Sequence, residues 1–333
     1  MDLLNALVAL LNFVVIPAAS YGAQLALGAL GVTLIYGILR FSNFAHGDTM
    51  AFGTGVTILL TWGLTAMGIS LGPLPTALLA LPAAIALTAV LVLVTDRLVY
   101  RHYRRVKAPP IVVVMASVGV MFVMNGLTRL LIGVDEIQFA DGARFVVSVP
   151  QFKAMTGLTD GLALRTTQAI TLVVTALAVW ALFAFLNRTR SGKAMRAYSD
   201  NEDLALLSGI EPERVVRLTW IIATGLAVAA GTLYGLDKSF KAFNYFQILL
   251  PIFAAAIVGG LGSPVGAVAG GFVIAFSEVA LTYPWKKVAQ YLGFEPTGLL
   301  QMLSTEYKFA ISFVILIVVL LFRPTGLFRG KAF

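Results

Sequence analysis

Apolar residues run along this chain in blocks close to the roughly 20 residues that an α-helix needs to cross a bilayer. Nine such stretches can be marked, near 3–18, 20–39, 48–66, 74–94, 111–132, 168–186, 217–236, 244–282 (an interrupted pair) and 309–322. Pro17, Pro73, Pro75, Pro109-Pro110 and Pro324 punctuate their ends, where a helix cannot continue. The pattern predicts an all-α polytopic membrane protein with 8–9 transmembrane helices, broken or re-entrant near 40–48 and 259–266. The first break is Ser42-Asn43-Phe44-Ala45-His46-Gly47-Asp48, a polar insert between two apolar runs. Polar and ionisable groups at membrane depth are costly, so they usually line a pathway or a gate.

Composition sharpens the class. Hydrophobic residues make up 59% and charged residues 12% of the 333 positions, where a soluble domain carries about 25% charge. There is no cysteine, which excludes disulfides, thiolate catalysis and cysteine metal sites. The two histidines, His46 and His102, are too far apart in sequence to suggest zinc. Thus no catalytic residue, metal site or cofactor is assigned. The net charge of +8 fits basic cytoplasmic loops, and no aromatic-basic interleaving points to nucleic acid. The first apolar run lacks the positive lead-in of a cleaved signal peptide and is expected to stay in the mature chain.

Loop charge orients the chain. Arg97 to Lys107, Arg188 to Arg217, and Arg323, Arg329 and Lys331 are basic, whereas 133–167 balances Arg144, Lys153 and Arg165 against Asp135, Glu136, Asp141 and Asp160. The positive-inside rule puts the first three in the cytoplasm and 133–167 outside. Segment 40–62 reads equally as a full crossing or a half-helix, so the side of residue 1 stays open. The chain is expected to form one domain over 1–333, with a cytoplasmic loop near 187–217 and an external loop near 133–167.

Two regions carry candidate chemistry. Asp48 reads as a helix N-cap or a pathway carboxylate, and Asn43 as an Asx turn or a donor to cargo. His46 reads as a pH-sensitive group or a neutral ring bonded to backbone. Glu278 is a functional carboxylate or a bond between helices, and Asn125 is interhelical glue. Gly259-Gly260-Leu261-Gly262-Ser263-Pro264-Val265-Gly266 echoes the first break, since both stand between a helix and a run of small residues. Paired broken helices in two halves point to a central transport site; two ordinary turns are the alternative. In the cytoplasmic loop, Ser199-Asp200-Asn201-Glu202 fits a capping box with Ser199 as N-cap. Leu204 and Leu207 then share a face and Gly209 stops the helix. That short helix could dock in a groove of a soluble partner or rest on lipid headgroups.

At these residues the chain resembles LivH-type permeases of branched-chain amino acid ABC importers. The shared signatures are Gly31 to Leu39 followed by SNFAHGD, Gly192 to Ala197, Leu206 to Ile210, Ala254 to Gly266, Leu303 to Lys308, and Arg323 to Gly326. The resemblance is collinear over essentially the whole chain. It implies an inner-membrane permease subunit importing branched-chain or other hydrophobic amino acids. Its implied partners are a homologous second permease, two cytoplasmic ATP-binding subunits and a periplasmic solute-binding protein. Residues Ser199–Gly209 would form the coupling helix, with Asp200, Asp203, Leu204, Ala205, Leu207 and Gly209 in it. Asn43, Phe44, His46, Gly47, Asp48, Gly259, Gly260, Gly262, Ser263 and Glu278 would line the translocation pathway or gate. A lysine common in the family before the alanine-rich run is replaced here, at the place where Pro251 falls, and 237–246 and 283–301 follow no family pattern. Urea or small carboxylates are alternative cargoes within the family. A different class, an ion-coupled secondary transporter, would have to use Asp48, His46 and Glu278. The chain has no G-x-x-x-x-G-K-[ST] run, so ATP hydrolysis would lie in partner subunits rather than here.

Overall fold

The computed structural model describes residues 2–139, 141–291, 301–304 and 307–328. Thr305 and Glu306 of the late motif, and Arg329 and Lys331 of the tail, lie outside them. The described chain is almost wholly helical. Eight helical stretches are long and apolar enough to span a membrane, and a ninth helix is shorter.

The first stretch corrects the sequence reading. Stretches 3–18 and 20–39 are one continuous rod: α1 (Asp2–Leu10), a π-helical turn (Leu11–Val15) and α2 (Ile16–Leu39). Pro17 does not end a helix; it sits in the first turn of α2. The wider turn before it lets the Ile16 N–H reach back five residues to the Leu11 carbonyl, so the helix passes through the proline. After a loop come α3 (His46–Ala66), α4 (Ala77–Thr95), a second π turn (Asp96–Tyr100), α5 (Arg101–Arg105) and α6 (Pro110–Ile132). The segment between α6 and α8 holds β1 (Phe145–Val147), α7 (Val149–Thr156) and β2 (Leu164–Arg165). Then follow α8 (Thr166–Arg188), the short pair α9 (Arg190–Asp200) and α10 (Glu202–Leu207), and α11 (Pro212–Asp237). The chain closes with α12 (Ala242–Gly259), α13 (Pro264–Thr282), α14 (Lys286–Tyr291) and α15 (Lys308–Phe322).

Contacts between the ends settle what loop charge left open. The Asp160 and Ala163 N–H groups donate to the side chains of Asn5 (3.2 Å) and Asn12 (3.0 Å), so the N-terminal helix lies on the face of the 133–167 segment. The far end of α3 reaches the same face: the Thr76 N–H donates to Asp141 Oδ2 at 2.6 Å, and the Ala143 N–H to the Pro73 carbonyl at 2.8 Å. The start of α1 and the far end of α3 thus lie on one face of the bundle, and α3 is a full crossing.

Small residues set the centre of the bundle. Helices α2, α11, α12 and α13 pack at backbone distance, and α2 is buried along nearly its whole length. Such stripes let transmembrane helices gain dispersion contacts where no hydrophobic drive separates protein from lipid. α3 carries Thr49, Thr54, Thr57, Thr61 and Thr65, each hydroxyl donating to the carbonyl four residues back. A threonine-rich helix thereby satisfies its polar atoms internally. Outer faces of α4, α6, α8 and α15 present Leu87, Phe122, Leu177, Trp180, Val314 and Leu321.

Candidate transport pathway and coupling site

The first break is built by α2 stopping short. Leu39 ends the helix and Arg40 takes the left-handed conformation (φ 56°), its N–H closing on the Tyr36 carbonyl. Residues 41–45 then turn back into the bundle. Asn43 folds an Asx turn, its Oδ1 accepting the Ala45 N–H (3.2 Å) and also the Tyr100 hydroxyl (3.2 Å). The Phe44 N–H donates to Ser117 Oγ (3.1 Å), and the Phe44 ring lies 5.2 Å from that of Phe253. α3 starts at His46, whose ring occupies the notch left by Gly31: a Cβ there would stand 2.6 Å from the imidazole. Gly31 lies eight residues before Leu39, so α3 begins about 12 Å inside the cytoplasmic end of α2.

Asp48 does not cap α3. The N-cap is Ala45, without a side-chain bond, and Asp48 sits in the first turn. Its Oδ1 accepts from Asn125 Nδ2 at 2.7 Å, which ties α3 to α6, while its Oδ2 is buried with no hydrogen-bond partner. The His46 ring lies against the Gly28 carbonyl, and its Nε2 is likewise unpartnered. Gly47 lets the start of α3 press on α12, since a Cβ would meet the Tyr245 carbonyl at 2.8 Å.

The second break is a tight reversal. α12 ends at Gly259; Gly260 (φ 113°) and Gly262 (φ 84°) make the turn, and Ser263 caps α13 by accepting the Gly266 N–H at 3.1 Å. Gly259 and Gly266 touch backbone to backbone, each leaving room for no more than a hydrogen atom. Residues 327–328 add N–H bonds to the carbonyls of Val258 (2.8 Å) and Gly259 (3.0 Å), holding the turn from the C-terminal side. α13 runs antiparallel to α2 with Gly271 on Ala26 and Phe272 on Gly22. That register puts Pro264 near the level of Thr33, about the depth of Gly31 and His46.

Glu278 stands apart from both breaks. It is fully buried near the outer end of α13 and accepts from Ser312 Oγ, with Lys308 Nζ at 3.6 Å from its Oε2. Lys308 also lies 3.7 Å from the centre of the Tyr21 ring. This cluster links α2, α13 and α15. Sequence reasoning missed its partner Lys308 as a charge within the bundle, although it directly precedes an apolar run.

In the 187–217 loop the capping box is corrected. Ser199 is not an N-cap but lies inside α9, which extends to Asp200; its hydroxyl donates to the Gly37 carbonyl at 2.9 Å. The cap of α10 is Asn201, whose Oδ1 accepts the Leu204 N–H at 3.0 Å. Glu202 turns instead to the Tyr198 hydroxyl at 2.6 Å. Burial, and then that bond, hold the Tyr198 phenol well above its ordinary pKa, so it remains a donor. Ala205 is buried while Leu204 and Leu207 are 61% and 86% exposed; Asp200 and Asp203 are also exposed, and Gly209 (φ 78°) ends the helix. The Arg40 guanidinium donates to the Ser199 carbonyl. The end of α2, one residue from the first break, is therefore tied at two points to the rod that carries α10. Beneath the break, Trp220 stacks on Tyr100 (5.2 Å), and its indole N–H and Arg104 both bond Asp96.

A family model, Branched-chain amino acid transport system / permease component, matches residues 15–320. The chain belongs to this permease family. The permease is 31% identical to the high-affinity branched-chain amino acid transport system permease protein LivH of Escherichia coli K12, covering 92% of this chain and 91% of that one. It is 29% identical to BraD of Pseudomonas aeruginosa, over 92% of each. It is 31% identical to the probable LivH permease of Methanocaldococcus jannaschii, over 93% and 90%. Among solved structures, PsaBC from Streptococcus pneumoniae in complex with Fab aligns with 99% of this chain and 94% of that chain, at TM-score 0.49 and 14% identity. The permease is a multi-pass inner-membrane protein, and its resemblance to LivH-type permeases holds along the chain.

Proposed function

We propose that this permease imports apolar, branched-chain amino acids as one of two homologous permeases. It works with two cytoplasmic ATP-binding subunits and a periplasmic solute-binding protein. The chain acts as one domain over 1–333, and chemistry on ATP is left to the partners. The observation that carries this reading is α10, a short helix outside the bundle whose Leu204 and Leu207 stand largely exposed. Exposed leucines at the tip of a well-capped helix fit a groove on a soluble partner, in the helix-in-groove manner. Movement of α10 reaches the bundle through α9, Ser199 and Arg40, and so bears on the break at residues 41–48. There Asn43, Phe44, His46, Gly47 and Asp48 form one wall of the inner gate. Gly259, Gly260, Gly262 and Ser263 form the second break at the same depth. The unpartnered Asp48 Oδ2 and His46 Nε2 are polar atoms that an altered packing can expose to solute or water. Glu278 has a bracing role instead.

Co-purification with the ATP-binding subunits tests the reading. Leu204→Asp with Leu207→Asp puts two charges into the apolar contact. Recovery of ATP-binding subunit should fall at least ten-fold with permease abundance in the membrane unchanged. Parental recovery would refute docking through α10.

A further inference from the structure

Two clefts open side by side on the outer face. The polar one holds about 460 Å³ and is lined by Gln138, Phe139, Arg144, Arg165, Asp237 and Ser239, among others. Its neighbour holds about 420 Å³ and shares Gln138, Phe139 and Asp141 as a wall; its far side is Ile58, Thr61, Trp62 and Thr65, successive positions on one face of α3. Both volumes fall within the range of about 300–1,000 Å³ found for small-molecule sites.

The polar cleft carries charges of both signs: Asp141 and Asp237, and Arg144, Arg165 and Lys238. Asp237 ends α11. Its side chain is only 4% exposed, yet Oδ1 has no hydrogen-bond partner and Oδ2 is 3.8 Å from the Lys238 ammonium. A buried carboxylate oxygen without a donor is unfavourable until one arrives. Arg144 and Arg165 both line this cleft, at the end of the ribbon where β1 pairs with β2. Arg144 lies over the Phe145 ring at 5.4 Å, which steadies its planar head. The paired bonds between Ile137 and Phe240 (2.9 and 2.7 Å) hold Ile137, next to Gln138 and Phe139 of the shared wall, to the chain just past α11.

We infer that these clefts form an outer receiving site for a zwitterionic amino acid with an apolar side chain. The ammonium group donates to Asp237, the carboxylate accepts from Arg144 and Arg165, and the side chain passes Phe139 toward Ile58 and Trp62. A guanidinium is the better partner here than an ammonium, because its planar fork matches a carboxylate. The inference rests on the cargo proposed above, and it adds that the permease itself recognises both charged ends of the solute after release from the binding protein.

The absence of native cysteine gives a clean test. Ala143→Cys, on the rim of the polar cleft, is labelled with a maleimide in proteoliposomes holding the whole importer. Millimolar L-leucine should slow labelling several-fold. The oxo-acid of leucine, which lacks the ammonium, and isopentylamine, which lacks the carboxylate, should not. Labelling indifferent to leucine, or slowed equally by the oxo-acid, overturns the site. Separately, Asp237→Asn should reduce leucine import at least ten-fold while Asp237→Glu keeps a measurable part; parental import by Asp237→Asn also overturns it. If leucine protects the introduced thiol but the assembled wild type neither hydrolyses ATP nor imports leucine, the site stands and the ATP-driven reading fails.

Discussion

The tie between Arg40 and Ser199 should decide how much solute moves per ATP. Arg40 is left-handed, so two properties must be separated: a strained backbone and a bridging side chain. Arg40→Ala keeps the strain and removes the guanidinium, leaving only the Ser199 hydroxyl on the Gly37 carbonyl at 2.9 Å. A hydrogen bond from a charged donor contributes about 1.5–3 kcal/mol. At about 1.4 kcal/mol per decade, the latched arrangement loses roughly 10- to 150-fold in relative population. Arg40→Gly removes the same bond but also relieves the left-handed backbone, worth about 1 kcal/mol. The glycine variant should therefore be at least as stable as the alanine variant and equally poor at coupling. Arg40→Lys keeps a donor and should recover part of the loss. The assay is leucine accumulated per ATP hydrolysed by the complete importer in proteoliposomes, with thermal stability measured in parallel. Arg40→Ala and Arg40→Gly should both lower that ratio about ten-fold or more. A parental ratio in Arg40→Ala, or a ratio restored by Arg40→Gly, would show that the bridge transmits nothing.

Two further perturbations probe the frame around the gate. Gly266→Val drives a side chain into the Gly259 carbonyl, which a Cβ alone approaches to 2.3 Å. The strain expected is about 1–3 kcal/mol, read as a lower midpoint of thermal unfolding in detergent. Gly119→Val, at a site with open space around it, should change little, and equal losses at both positions would discount the close contact. For the Glu278–Lys308 pair, Lys308→Met strands the buried carboxylate and should cost about 3–5 kcal/mol, whereas Glu278→Gln leaves a lysine that is 28% exposed and should cost less. The double variant should be less harmful than the sum of the two; strict additivity in a double-mutant cycle would mean that the pair does not interact.

The sequence by itself determined the class, the number of crossings to within one and the family. Those follow from hydropathy, charge bias and motif order, which are properties of the chain read locally. It also marked the breaks at 40–48 and 259–266, because polar residues and glycine clusters interrupt helices wherever the chain goes. Tertiary structure decided the rest. Whether Pro17 ended a helix depended on a π turn that absorbs its missing hydrogen bond. Whether Ser199 capped α10 or tied α9 to α2 depended on Gly37 lying opposite it, 162 positions away in sequence. Asp48 looked like a cap because it stands near a helix start, but the helix begins two residues earlier and Asn125 of α6 supplies its partner. That the start of α1 shares a face with the segment before α8 was decided by Asn5 and Asn12 meeting Asp160 and Ala163. A pairing energy belongs to two residues at once, and a single strand of letters does not say which distant group will arrive to complete it.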